Sequence, residues 1–200
     1  MSLSGSILIN GAPKRIGFIS TRFQGTDGVT LEARKWAYIL QSMGHECFWM
    51  AGLLDSPPEV SHSVPIAYFN HPRIATLQAK LFGVATRPRA VTDEIHALKE
   101  QLKDEIYRFI ERFRLEVLIP QNILAIPMHV PLGLALTEVM AETGIPTIAH
   151  HHDFAWERER FVVSAVNDYL RAAFPGAMPA VSIVAESPFA VSAPPLVSQV

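Results

Sequence analysis

The chain has 200 residues, enough for one domain with a substantial hydrophobic core. Hydrophobic residues make up 49% and charged residues 18% of it, which excludes a disordered or fibrous protein. The net charge of −2 predicts no general affinity for nucleic acid or for an anionic membrane. The single cysteine, Cys47, cannot form an internal disulfide, and we see neither a secretory signal nor a transmembrane run, so we expect a cytoplasmic protein.

The amino-terminal part of the sequence predicts a βαβ unit. Residues 15–20 are apolar and predict a buried strand, which runs into a loop containing Gly25 and Gly28. Apolar residues at helical spacing follow and predict a helix that stops at Gly44. Residues 45–51 predict the second strand, and the helical crossover between the two strands is expected to be right-handed.

The remainder of the chain alternates between strand and helix patterns. Further strands are predicted at residues 66–69, 116–119, 146–150 and 180–185. Further helices are predicted at 73–82, 92–113, 132–143 and 154–174, the last of them broken. This alternation predicts an α/β fold, a Rossmann-like doubly wound parallel sheet with helices on both faces. We assign residues 15–187 to this domain, residues 1–14 to a loose leader that includes a candidate cloning remnant, and residues 188–200 to a tail or linker.

Polar residues follow several of the predicted strands directly. A parallel sheet places the carboxyl ends of its strands at one edge, where ligands bind in a cleft. The segments expected at that edge are residues 20–28, 120–122, 150–153 and the pair Glu186 and Ser187. Gln121 and Asn122 are amides at a strand end, able to bind sugar hydroxyls or only to complete a turn.

The histidine run is the strongest chemical signal in the sequence. In an extended strand, His150 and His152 point to one side and His151 to the other. Neutral imidazoles can exchange hydrogen bonds with a hydroxyl-rich ligand. Two alternatives stay open: a metal site formed by His150, His152 and Asp153, and a structural role in which the backbone satisfies the imidazoles.

The residues after the histidines carry many charges. They fit a solvated helix face, but their position also allows Glu157 and Arg158 to reach into the cleft. Asp153 is expected to cap this helix. The backbone at Gly25 and Gly28 suits a phosphate or carboxylate beside a helix N-terminus, although a plain tight turn explains these glycines equally well.

Two segments resemble a known family. The stretch from Gly25 to Glu46, and the strand and histidine run from Pro146 to Asp153, are similar to the corresponding parts of family 4 glycosyltransferases. The resemblance covers roughly residues 15–187 and implies the amino-terminal domain of a GT-B enzyme, in which two Rossmann-like domains face each other across a cleft. The carboxyl-terminal domain of such an enzyme, with its Glu-x7-Glu motif, is absent from this sequence.

The resemblance also implies roles for individual residues. His152 would be the catalytic histidine that touches the transferred sugar, and the backbone of Gly25 and Gly28 would approach the donor diphosphate. Acceptor and sugar binding are expected from the polar residues of the strand ends and the following segment, namely Asn122, His150, Asp153, Glu157 and Arg158. The glycine loop here is Gly-Thr-Asp-Gly, whereas the family has an adjacent glycine pair.

The resulting hypothesis is a retaining glycosyltransferase that uses a nucleotide-diphosphate sugar as co-substrate, with neither a cofactor nor a metal ion. The acceptor would be a small molecule, a glycan or a lipid, and the donor would bind mainly to the second domain. We expect this chain alone to be inactive, and the surface left by the missing domain is a candidate for self-association. The alternative is a stand-alone small-molecule binding module with the same fold and no catalysis.

Overall fold

The computed structural model describes residues 12–174 and 181–185. The strands are β1 (Arg15–Ile19), β2 (Arg22–Phe23), β3 (Glu46–Ala51), β4 (Leu53–Leu54), β5 (Ser61–Ser63), β6 (Val117–Pro120), β7 (Thr147–His151) and β8 (Val181–Ala185). The helices are α1 (Gly28–Ser42), α2 (Pro72–Gln78), α3 (Arg89–Phe113), α4 (Val130–Thr143) and α5 (Asn167–Ala173). Most of the predicted leader, the tail, Glu186 and Ser187 lie outside the described residues.

The central sheet has the predicted parallel, doubly wound arrangement. Its six strands lie in the order β5-β3-β1-β6-β7-β8, and every neighbouring pair is parallel. The short strands β2 and β4 form a separate parallel pair beside it. The predicted Rossmann-like fold class is therefore confirmed.

The two faces of the sheet bury different sets of side chains. On one face, Ile16 and Phe18 of β1 pack with Ala33 and Ala37 of α1. On the other face, Ile19 belongs to the core that α3 and α4 share with the sheet. Because successive side chains of a strand point to opposite faces, this alternation places helices on both sides of the sheet.

The helices begin and end where the chain satisfies their terminal groups. Asp27 caps α1 by accepting the Thr30 N–H at 3.3 Å, and Gly44 follows the helix with φ 91°. Helix α3 begins at Arg89, earlier than predicted, because Pro88 already has the extended conformation of an N-cap residue. No helix in the described ranges is both long enough and apolar enough to cross a membrane.

Two predicted elements were wrong. The strand expected at residues 66–69 lies instead at Ser61–Ser63, an edge strand that pairs with β3, whereas Pro65–Ala67 forms a 3-10 turn. The helix expected over residues 154–174 is broken, as predicted, but its first part consists of 3-10 turns at Ala155–Glu157 and Glu159–Phe161, and only the short α5 is α-helical. The chain between these turns and α5 bonds to the segment after α2, since Ala165 N–H donates to Leu81 O at 2.9 Å.

Gly52, between β3 and β4, packs directly against the backbone of Tyr68, and a substitution there tests this contact. A Cβ at this position would sit 2.0 Å from the Tyr68 nitrogen and 2.4 Å from its Cα, and backbone cannot move aside as a flexible side chain can. We expect Gly52→Ala to lower the free energy of unfolding by about 2–3 kcal/mol in urea denaturation. Gly28→Ala is the matched control, since a Cβ there meets nothing within 4 Å. Equal stability of the two variants would contradict the packing.

Candidate functional site

The candidate site lies between β1 and β6, the point at which the chain changes the side of the sheet to which it adds strands. After β1 the chain adds β3 and β5 on one side, and from β6 it adds β7 and β8 on the other, so β1 and β6 are neighbours. In doubly wound folds, ligands bind in the crevice beyond the carboxyl ends of the strands at such a switch point. The strand order therefore selects the ends of β1, β6 and β7 as the site.

Backbone hydrogen bonds hold these three strand ends together. Gln121 N–H donates to Ile19 O, and Asn122 N–H donates to His150 O, both at 2.8 Å. The Ser20 hydroxyl donates to Gln121 O at 3.3 Å. The prediction that the three segments meet at one edge is confirmed, whereas the fourth segment, Glu186 and Ser187, lies outside the described residues.

The Gln121 side chain joins two of the predicted histidines. Its Oε1 lies 3.0 Å from His150 Nδ1 and 3.3 Å from His152 Nε2. A carbonyl oxygen only accepts hydrogen bonds, so we assign an N–H to each of these ring nitrogens. The rings of His150 and His152 are 4.5 Å apart, which confirms that the two side chains point to the same side of the strand.

The two histidines differ in their exposure. His150 has no exposed surface, because the Trp36 indole stacks on its ring at 4.5 Å. His152 is only half-buried and lies next to it. Trp36 is one of the apolar residues at helical spacing that predict α1, and its contact with His150 was not expected from the sequence. Direct contact between His150 and a ligand stays a prediction that requires its neighbours to move.

Asn122 bridges the end of β6 to the segment after β7. It has a left-handed backbone with φ 60°, a conformation that asparagine tolerates better than most residues. Its Oδ1 accepts the backbone N–H of His152 at 3.2 Å, and its Nδ2 donates to Asp153 Oδ1 at 2.8 Å. The second Asp153 oxygen accepts from Arg158 Nε at 2.7 Å and also from its Nη2. Asn122, His152, Asp153 and Arg158 therefore form one connected cluster.

Asp153 does not cap the following helix, so that prediction was wrong. Its carboxylate is turned toward Asn122 and Arg158, and Phe154 occupies the N-cap position of the 3-10 turn. The Glu157 carboxylate accepts the Phe154 N–H at 2.6 Å. Glu157 thus holds the backbone that follows the histidines, next to the cluster, and its role toward a ligand stays a prediction.

The glycine loop is already bonded to side chains. Gly25 has φ 79°, and its N–H donates to Asp55 Oδ2 at 3.0 Å. The Arg34 guanidinium bonds the other oxygen of Asp55, and this bond lowers the pKa of that carboxyl. Gly28 is exposed at the start of α1, which Asp27 caps. The phosphate contact of Gly25 and Gly28 stays a prediction, and at Gly25 a phosphate would compete with Asp55.

A pocket of about 150 Å³ opens beside the cluster at the switch point. Its polar lining comes from the ends of β1 and β6 and from the loop before α1, namely Ser20, Thr21, Arg22, Asp27, Gln121 and Asn122. Arg22 was not singled out from the sequence, because a single arginine after a strand carries no pattern. Only the fold places it opposite the end of β6.

His129 also lines this pocket and was missed in the sequence. It is buried, its Nε2–H donates to Ile66 O at 2.9 Å, and its Nδ1 accepts the Leu132 N–H at 3.2 Å as the cap of α4. Burial lowers its pKa to about 4. The imidazole is therefore neutral at pH 7 and adds no charge to the pocket.

The histidines do not form a metal site. Among residues 12–174, no group of three or more His, Cys, Asp and Glu side chains has an arrangement able to hold a metal ion. His150 and His152 are turned toward the Gln121 carbonyl, and Asp153 toward Asn122 and Arg158. The metal alternative raised by the sequence has no support in this arrangement.

Comparison with known proteins gives two related synthases. The chain is 31% identical over 159 residues to mannosylglucosylglycerate synthase of Petrotoga mobilis. The aligned residues cover 78% of this chain and 35% of that protein. It is 28% identical over 149 residues to the protein of the same name from Thermotoga maritima, covering 74% of this chain and 34% of that protein. The chain thus spans about a third of the length of these curated relatives. No protein-family model matches it.

His151 lies on the opposite side of β7 from the cluster. It is 1% exposed, its ring lies 5.4 Å from that of Phe154, and neither ring nitrogen has a hydrogen-bond partner within residues 12–174 and 181–185. Burial, together with the neighbouring histidines His150 and His152, lowers its pKa to about 4. An unpaired buried imidazole of this kind costs stability when it has to become charged.

This burial predicts a pH dependence of stability. Because the pKa of His151 falls from 6.5 to about 4 on folding, the unfolded chain binds an additional proton between these values. Stability should therefore fall as the pH falls from 6.5 to 4, by up to about 1.4 kcal/mol per pH unit for this residue.

We expect His151→Phe to weaken this acid destabilisation and to preserve or raise stability at pH 7, because it removes two unpaired nitrogens. Urea denaturation between pH 7 and pH 4.5 measures both effects. His96→Phe, at a solvent-exposed histidine, is the control and should keep the wild-type slope. A wild-type slope in His151→Phe would contradict the assignment.

Proposed function

We propose that this chain is the acceptor-side part of an enzyme that transfers a sugar from a nucleotide-sugar donor to a hydroxyl group of a small acceptor. The observation that carries the proposal is the cluster of Asn122, His152, Asp153 and Arg158, bonded to Gln121 beside a pocket at the switch point of the sheet. Groups of this kind can hold a hydroxyl-bearing ligand in a fixed orientation at the edge where doubly wound folds bind ligands.

The similarity to the two synthases supports the same chemistry. Their name describes the formation of mannosylglucosylglycerate, a compound built from two sugar units and glycerate. Forming such a glycoside joins a sugar to a hydroxyl group, as the proposal requires. The resemblance of the segments around Gly25 and His152 to family 4 glycosyltransferases favours a GT-B enzyme that retains the anomeric configuration.

Glycosyl transfer needs an acceptor hydroxyl held close to the anomeric carbon and stabilisation of the departing diphosphate. The cluster can supply the first requirement. His152 is proposed as the catalytic residue, since it is half-buried, bonded to Gln121 and held by its backbone to Asn122. The Asp153–Arg158 pair and Glu157 would fix the segment around it, with His150 supporting its ring.

The second requirement has weaker support in this chain. The proposed diphosphate contact at Gly25 and Gly28 lies beside Asp55, whose carboxylate already accepts the Gly25 N–H. The Arg34 guanidinium that could attract a phosphate is paired with the same carboxylate. We therefore propose that most of the donor site is supplied by residues outside this chain, and that the 200-residue chain alone does not catalyse.

An activity screen tests the function directly. The 200-residue chain and the complete product of its gene would be assayed side by side with a panel of nucleotide sugars, including activated mannose, and with glucosylglycerate among the acceptors. We expect product from the complete protein and none from the chain alone. NMR of the new glycosidic linkage would report whether the anomeric configuration is retained. Saturable small-molecule binding without transfer from any donor would favour the binding-module alternative.

His152→Ala tests the proposed catalytic residue in the complete protein. We expect kcat to fall by about 100-fold or more, as for the loss of a positioned acid–base group, while the melting temperature stays within a few degrees. His96→Ala, at an exposed histidine on α3, should keep wild-type turnover. Near-normal turnover of His152→Ala would remove this residue from the chemistry and leave the transfer reaction itself in place.

A further inference from the structure

The pocket beside the cluster contains a buried donor without a partner. Gln121 lines the pocket and is 1% exposed, and its Nε2 has no hydrogen-bond partner among the described residues. Its Oε1 is bonded to His150 and His152. The nitrogen and oxygen of an amide lie on opposite sides of the terminal carbon, so Nε2 faces away from the histidines. An unpaired buried amide of this kind costs stability, which a ligand oxygen would recover.

Arg22 supplies a cation at the same pocket. Its guanidinium lies over the Phe69 ring at 5.9 Å, and within the described part of the chain its ion pair is with Asp27 Oδ2 at 3.3 Å. A guanidinium has five N–H donors in a fork that matches a carboxylate, so one long ion pair leaves donors for a ligand. Arg22 and Gln121 therefore both line the pocket, and because Nε2 has almost no exposed surface, a ligand oxygen reaches it through a small movement of the pocket wall.

Asp27 does not cancel this preference for a ligand oxygen. Its carboxylate accepts the backbone N–H of Thr30 at 3.3 Å and the Thr30 hydroxyl at 2.6 Å, in addition to the Arg22 contact. These partners occupy most of its acceptor positions. The negative charge of Asp27 offsets that of the Arg22 guanidinium, and the positive end of the α1 dipole lies at the same end of the pocket.

The rest of the pocket is small and apolar. Its walls come from the first turn of α1, the 3-10 region before α2 and the loop after β6, and they are Val29, Phe69, Ile123, Ile126 and Met128. A volume of about 150 Å³ corresponds to a molecule the size of benzene, or about six heavy atoms. A complete disaccharide does not fit, whereas a three-carbon acid does.

Resting on the proposed function, we propose that this pocket binds the carboxylate end of the acceptor, a small hydroxylated carboxylic acid such as a glycerate unit. The carboxylate lies against the Arg22 guanidinium and the Gln121 amide, and the carbon chain lies against the apolar walls. The rest of the acceptor then extends toward His152, which shares the Gln121 side chain with the pocket. Gln121 thereby couples recognition of the acid to the position of the catalytic histidine.

Ligand-observed NMR on the 200-residue chain tests this without any turnover. The probe is D-glycerate, and glycerol, which has the same three-carbon skeleton with a hydroxymethyl group in place of the carboxylate, is the matched neutral compound. We expect saturable binding of glycerate and at least tenfold weaker binding of glycerol, the difference expected when a charged hydrogen-bond partner is lost. Equal binding of the two compounds, or no saturable binding of glycerate, would overturn the proposal and leave water as the partner of Gln121.

Two variants locate the bound acid. Arg22→Gln removes the cation at a partly exposed position, and Val29→Trp fills the pocket without changing a charge. Both should weaken glycerate binding at least tenfold while circular dichroism stays unchanged. Arg108→Gln, an exposed arginine paired with Glu105 on α3, is the control and should bind glycerate as the wild type does. Loss of binding in Arg22→Gln with normal binding in Val29→Trp would place the acid outside the pocket and overturn the proposal.

The two proposals can fail separately. If the complete protein transfers sugar but neither glycerate binding nor a preference for acidic acceptors is found, the carboxylate pocket is wrong and the transferase function stands. If glycerate binds as expected and no donor is used, the pocket stands and the transferase function is wrong.

Discussion

The pairing of β6 between β1 and β7 is the constraint on which the candidate site depends. It brings Gln121 next to Ile19 on one side and His150 on the other, through backbone hydrogen bonds. The Gln121 side chain then bonds to the histidines and lines the pocket. A shift of one residue in this register would turn the amide to the other face of the sheet and separate all of these groups.

The buried groups around this pairing are organised in layers. Trp36 of α1 covers His150, His150 supports His152, and Gln121 bonds to both histidines. Asn122 continues the cluster outward to Asp153 and Arg158, so that the most exposed residues are held by buried ones. Such support keeps a site at a sheet edge in one conformation before a ligand arrives, which reduces the entropy lost on binding.

The same groups are consistent with the proposal that this chain recognises the acceptor while residues elsewhere bind the donor. The pocket side carries Arg22, the Gln121 amide and apolar walls, which suit a small acid. The glycine-loop side carries Asp55 and its partner Arg34, which leave little positive charge for a diphosphate. The proposed division of labour between acceptor recognition here and donor binding elsewhere follows from this difference in charge.

The sequence by itself determined the order of the strands and helices along β1, α1, β3, α3, β6 and α4, because hydrophobic periodicity and terminal glycines are local signals. It also placed the polar ends of β1, β6 and β7 at one edge, since every parallel sheet does so. It failed for residues 154–174, where hydrogen bonds to distant backbone replaced a helix, and for Asp153, which bonds to Asn122 rather than capping. Only the tertiary structure decided that His150 is buried, that Gln121 joins the histidines and that Arg22 faces the pocket, because these contacts join residues far apart in the chain and leave no periodic trace in it.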